Sequence, residues 1–171
     1  MKIWPDLAVT KKACDVLMPT YDNHSEMDKT KIIFTDIDGV FHDGDTPLFV
    51  WAEHLWDLVA PYRVMLVIHS SWRHTNSLDE IRSRFPGYMK ERILACTEGA
   101  DPYESVMRFV EMSDVRDFIV IDDDVSRFPI DWISAGRFIL CETGTGLSSR
   151  SVLDRIRKFL SEAQSIDSEN S

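Results

Sequence analysis

Five short apolar runs, at residues 32–35, 64–69, 92–96, 118–121 and 137–141, alternate with longer amphipathic stretches along this chain. That alternation is the signature of strands joined by crossover helices. The expected architecture is α/β: a doubly wound, mainly parallel five-stranded sheet with helices on both faces. The spacing predicts helices over 49–60, 78–85, 103–112 and 147–163. In the first, Val50, Leu55, Leu58 and Val59 share one face and Pro61 ends it. In the last, Val152, Ile156, Phe159 and Leu160 turn inward.

A chain of 171 residues and 19.7 kDa buries roughly 70% of its unfolded surface, enough for one core without staples. Cys14, Cys96 and Cys141 are odd in number and lack C-x-x-C spacing, so they read as small buried hydrophobes. No apolar run approaches the ~20 residues of a spanning helix, and the Met1-Lys2-Ile3-Trp4-Pro5 start reads as no signal peptide. A soluble, cytoplasmic protein with no membrane partner is expected. The formal net charge of −10 repels phosphate polymers at long range. A nucleic-acid partner is therefore not favoured by charge and needs a local basic surface. Residues 1–30 read as an extension or linker, with 7–18 as a short helix. Residues 31–162 read as the catalytic domain and 163–171 as a polar flexible tail. Nothing in the sequence fixes an oligomeric state.

Three strands run straight into polar side chains. The first ends Thr35-Asp36-Ile37-Asp38-Gly39-Val40, the second His69-Ser70-Ser71-Trp72-Arg73, and the fourth Asp122-Asp123-Asp124. In an open parallel sheet ligands bind outside the carboxyl ends of the strands, so these residues are directed toward one crevice. Two like charges about 4 Å apart repel by ~4 kcal/mol at an effective dielectric of ~20. Carboxylates gathered there either take raised pKa values or share a cation. An oxygen-only ligand set favours Mg²⁺, which takes one or two carboxylates together with a substrate phosphate oxygen.

These residues resemble the haloacid dehalogenase superfamily of phosphohydrolases: Asp36-x-Asp38-Gly39-Val40 after an apolar strand, a serine ending the next, and an apolar strand running into Asp122-Asp123. The Ser70-Ser71-Trp72-Arg73 ending and Gly146-Leu147 after the last strand resemble, more narrowly, the phosphatase-type domains associated with RNA repair proteins. The resemblance implies that Asp36 attacks phosphorus and is transiently phosphorylated. It implies that Asp38 protonates the leaving oxygen and then deprotonates water, while its backbone carbonyl helps hold Mg²⁺. Asp122 and Asp123 complete the metal shell with Asp36. Ser70, or its neighbour Ser71, donates its hydroxyl to the phosphoryl group, with Gly39 and His74 beside the phosphate. The substrate is a phosphorylated one: a small ester, or the end of a polynucleotide or peptide. The interval from Asp38 to Ser70 is nearly filled by one helix and two connections, so the domain is expected to be capless.

The family pattern also includes a lysine near the helix leading into the fourth strand, and residues 99–104 here contain none. Arg73 is the expected substitute, since a guanidinium holds phosphate in bidentate fashion; Lys90 and Arg108 are the further candidates. The missing lysine also supports a rival reading, a catalytically silent domain that binds metal or a phosphorylated partner for regulation.

The remaining features have plainer readings. Asp43-Gly44-Asp45 is expected to be a turn, and the resemblance implies a short flap just past Asp38 that brings Phe41 and His42 near the substrate. His69 reads as a core histidine, and Trp51, Trp56 and Trp132 as core aromatics, with Trp72 the exception. Arg82, Arg84, Lys90 and Arg92 read as a solvated helix face.

Overall fold

The computed structural model describes residues 30–162. The helix expected at 7–18, the linker, the polar tail and Cys14 lie outside the described residues. Within them, β1 (Lys31–Thr35), β2 (Val64–Ile68), β3 (Ile93–Cys96), β4 (Phe118–Asp122) and β5 (Phe138–Leu140) form one sheet in the order β3-β2-β1-β4-β5. Every pairing is parallel. Phe34 of β1 stands between Val67 of β2 and Val120 of β4. The helices are α1 (Ala52–Val59), α2 (Leu78–Arg84), α3 (Pro102–Ser113), α4 (Asp131–Ser134) and α5 (Arg150–Glu162).

Successive side chains of a strand point to opposite faces, so one central strand feeds two cores. Ile33 joins Leu55, Leu66, Ile121, Ile156 and Leu160 on one face. Ile32 and Phe34 join Val67, Val106, Val120 and Phe138 on the other. All five residues of β1 are buried, which is why its run shows no polar alternation. Helix starts follow local chemistry: Ser77 and Glu80 close a reciprocal capping box on α2. Asp101 accepts the Glu104 N–H at the start of α3, with Pro102 at its first position. No helix among the described residues is long and apolar enough to cross a membrane.

Two expectations need correction. The first helix begins at Ala52, because Phe49 has φ +59°, a conformation no helix propagates. That backbone costs about 1–2 kcal/mol for a residue with a Cβ. Burying the ring against Phe85, with centroids 4.3 Å apart, offsets it. Val50 consequently points outward and is 46% exposed. The basic run is also not simply a solvated face. Arg82 Nη2 donates to the carbonyls of Ile93 and Leu94 at 2.7 and 3.1 Å, and Arg92 Nη1 donates to Tyr62 and Val64 at 2.8 and 3.1 Å. Arg82 thus covers carbonyls of the edge strand β3, and Arg92 ties the residue before that strand to the start of β2.

Candidate active site

Strand order reverses between β1 and β4, and the carboxyl ends of those two strands are where an open parallel sheet takes its ligand. The chain leaves β1 through Asp36, and β4 ends on Asp122. Carboxylate oxygens of Asp36, Asp122 and Asp123 all lie within 4.8 Å of one another. Gly39 makes room for the third: at φ +73°, a Cβ on it would stand 2.2 Å from Asp123 Oδ2.

Each carboxylate of the trio accepts a neighbouring hydrogen bond. Asp36 accepts the Ile37 N–H at 2.8 Å and the Ser70 hydroxyl. Asp122 accepts the Asp124 N–H at 2.8 Å, and Asp123 accepts the Thr143 hydroxyl at 2.9 Å. These bonds do not restore ordinary acidity to Asp36 or Asp122. Burial, with Asp123 and Asp38 adding their charge, holds the Asp36 carboxyl above the usual carboxylate range. Burial pushes Asp122 up to about 8. His69 lies with Nδ1 3.6 Å from Asp122 Oδ2, yet it supplies no countercharge, because burial lowers its pKa to about 3. An oxygen-only trio short of positive charge fits a divalent cation.

A family model, that of the HAD domain in Swiss Army Knife RNA repair proteins, matches residues 32–152, more than half of the chain. The chain belongs to this HAD-domain family. No curated protein and no solved structure gives a significant match. Membership supports a hydrolase of phosphoesterase type, and the aspartate trio is where this HAD domain can hold a metal.

The second strand brings Ser70 to Asp36. Ser70 is buried, and its Oγ accepts the Trp72 N–H at 3.4 Å at the start of a 3₁₀ turn, Ser71–His74. Ser71 and His74 are exposed on that turn. Arg73 departs from expectation. Its Nη1 donates to the carbonyls of His69 and Ser70, and its Nη2 to Gly99 at 3.0 Å. Its buried Nε has no partner. The guanidinium therefore ties the loop after β2 to the loop after β3 and gives Asp36 a nearby positive charge, rather than offering an open two-pronged fork. Lys90 belongs to the 3₁₀ turn Gly87–Arg92 that precedes β3, so it sits at the opposite, amino edge of the sheet and is removed as a phosphate ligand. Arg108, on α3, lies against Gly99, with Nη1 3.8 Å from where a Cβ would stand.

The carboxylate of Asp38 lies outside the trio. Its Oδ2 accepts the Trp72 indole N–H at 2.8 Å, and its Oδ1 is 3.2 Å from His42 Nε2. The expected flap position of Phe41 is not found: its ring is fully buried, 5.1 Å from that of Phe85. Asp124 stays out of the cluster and accepts the Ser126 N–H as a cap. Asp43 accepts the Asp45 N–H in the expected turn. Gly146 and Leu147 pack against the segment after β1. Leu147 N–H donates to the Val40 carbonyl at 2.9 Å, and a Cβ on Gly146 would meet that same carbonyl at 2.4 Å. Sequence reasoning passed over Thr143, although its place just after the carboxyl end of β5 was a usable signal.

Proposed function

We propose that this domain is an Mg²⁺-dependent phosphomonoesterase working through a phosphorylated Asp36. The observation that supports it best is the meeting of Asp36, Asp122 and Asp123 within 4.8 Å, with the Ser70 hydroxyl on Asp36. In the first step an Asp36 oxygen bonds to phosphorus as the bond from phosphorus to the ester oxygen breaks, and Asp38 gives its proton to the departing oxygen. In the second step water attacks phosphorus and its proton passes to Asp38; inorganic phosphate leaves and Asp36 is restored. Ser70 donates to a non-bridging oxygen, with Gly39 beside the phosphate. Arg73 supplies fixed positive charge in place of the lysine, and Ser71 and His74 stand at the rim. Asp36, Asp122, Asp123 and the Asp38 carbonyl would hold Mg²⁺, which when bound neutralises charge developing on the phosphoryl oxygens.

The substrate we infer is the phosphorylated end of a polynucleotide. Two features support it: the crevice has no cap over it among the described residues, and the family is described from RNA repair proteins. A chain end entering an open crevice brings few phosphates near a protein of net charge −10.

Phosphate release from an aryl phosphate and from 5′- and 3′-phosphorylated oligonucleotides tests both points. Asp36→Asn should lower turnover by about 10⁴-fold or more, and chelation should abolish it. Wild-type turnover indifferent to both would overturn the proposal. Metal-dependent binding of the oligonucleotides without turnover would support the silent, regulatory reading instead.

A further inference from the structure

We propose that Trp72, seconded by His42, is a positioning residue that grips the Asp38 carboxylate for proton transfer and keeps it out of the metal-binding trio. The proposal rests on the phosphatase reading above and adds residues to it. Both oxygens of Asp38 face ring N–H groups, Trp72 Nε1 at 2.8 Å and His42 Nε2 at 3.2 Å. The tautomer of His42 follows from its other nitrogen: Nδ1 accepts the Phe49 N–H at 3.4 Å, so the ring proton is on Nε2, aimed at Asp38.

Both rings are held in place. The His42 side chain is only 5% exposed. Trp72 lies edge-on to His42 and Phe49, with centroids 6.1 and 6.0 Å apart, and the Arg84 guanidinium sits 5.5 Å over its face. The turn that carries it is capped by Ser70, the hydroxyl that also reaches Asp36. Asp38 itself has a side chain 59% exposed. Without the grip it is a free rotor beside three carboxylates, able to turn in as a fourth.

An oxygen that accepts one N–H keeps a second lone pair, so the gripped carboxyl can still carry the proton it delivers. That proton passes to the ester oxygen as its bond to phosphorus breaks. The need for it depends on the leaving group: an alkoxide requires protonation, and a nitrophenolate does not. A gripping role therefore shows as an effect on kcat/KM that scales with leaving-group basicity, whereas a merely structural tryptophan affects that quantity alike for every ester.

Trp72→Phe keeps an aromatic ring for Arg84 and Phe49 and removes the indole N–H together with the five-membered ring that carries it. It should lower kcat/KM, which reports only the steps through cleavage of the ester bond, by about 30-fold on an alkyl phosphate and by no more than about threefold on p-nitrophenyl phosphate. In an Asp38→Ala background the same substitution should add nothing further. The chain has five tryptophans, and the indole N–H resonance missing from Trp72→Phe identifies Trp72; it should move in Asp38→Ala. Equal losses on both esters, full additivity with Asp38→Ala, or an unmoved resonance would overturn the proposal. Wild-type protein inert toward every ester would sink the phosphatase reading and the proton-transfer role together, while the resonance would still decide whether the grip exists.

Discussion

The two polar ends of the sheet handle charge in opposite ways. At the amino edge, a concavity of about 550 Å³ is lined by Arg116, Arg137, Arg155, Lys158, Asp117 and Glu162, among others. Its cations are matched locally. Arg155 Nη2 donates to the Phe138 carbonyl at 2.6 Å, Lys158 Nζ lies 3.5 Å from Glu162, Arg116 lies 3.7 Å from Asp114, and Arg137 stacks 4.8 Å from the Phe118 ring. At the carboxyl edge, three carboxylates meet beside one guanidinium whose donors mostly face backbone carbonyls. That concavity is thus the settled end, and the candidate site lies where charge is left unmatched.

The sharpest way to break the comparison is to remove the carboxyl edge's clearance. Gly39→Ala places a Cβ 2.2 Å from Asp123 Oδ2 on a backbone with φ +73°. Positive φ alone should cost about 1–2 kcal/mol of stability. Displacing Asp123 should weaken Mg²⁺ binding and turnover about 100-fold. Calorimetric titration with Mg²⁺ and phosphate-release assays measure the two. Unchanged Mg²⁺ affinity would mean that Asp123 takes no part in the cation site.

A smaller effect follows from pH. Asp122 ionises with a pKa of about 8 in the fold against an ordinary value of 3.8. Its contribution to stability is therefore complete below about pH 4 and is lost as pH rises through about 8. Asp36 is shifted in the same direction. In EDTA, the melting temperature should fall across that interval, and Asp122→Asn should flatten the fall. Mg²⁺ at 100 times its Kd should add about 2.7 kcal/mol, roughly 5–10 °C in Tm at this chain length. A metal-free Tm that climbs with pH over the same interval would contradict an uncompensated acidic edge.

Much of this edge was legible in the sequence, because a parallel strand that stops on a polar residue declares both its end and its direction locally. That rule directs Asp36, Asp38, Ser70 and Asp122 to Asp124 to one edge, and the choice of Asp36, Asp122 and Asp123 among them as metal ligands comes only with the family resemblance. What the rule cannot supply is the rotation of a side chain after the strand stops. Whether Ser70 or Ser71 faces Asp36 depends on one residue of turn geometry. The bond from Trp72 to Asp38 joins positions 34 residues apart, and the one from Thr143 to Asp123 spans 20. The course of Arg73 was illegible for a related reason: its partners are carbonyls, which every residue carries. Phe49 shows tertiary burial overriding a local helical pattern, shortening α1 and turning Val50 outward.

The smallest effect belongs to the amino edge and tests the comparison from its quiet side. Arg155→Met keeps the apolar stem that the helix lays over the sheet and removes the N–H given to Phe138 at the start of β5. Loss of a half-buried, charge-assisted hydrogen bond should lower stability by about 1–2 kcal/mol. The pH slope in EDTA, the Mg²⁺ affinity and kcat should stay as in the wild type, because Phe138 lies at the end of its strand farthest from the carboxylates. Denaturant unfolding reads the first quantity, and the assays above read the others. A several-fold fall in kcat would show that the two edges communicate through β5, and the separation of a settled end from a reactive one would then fail.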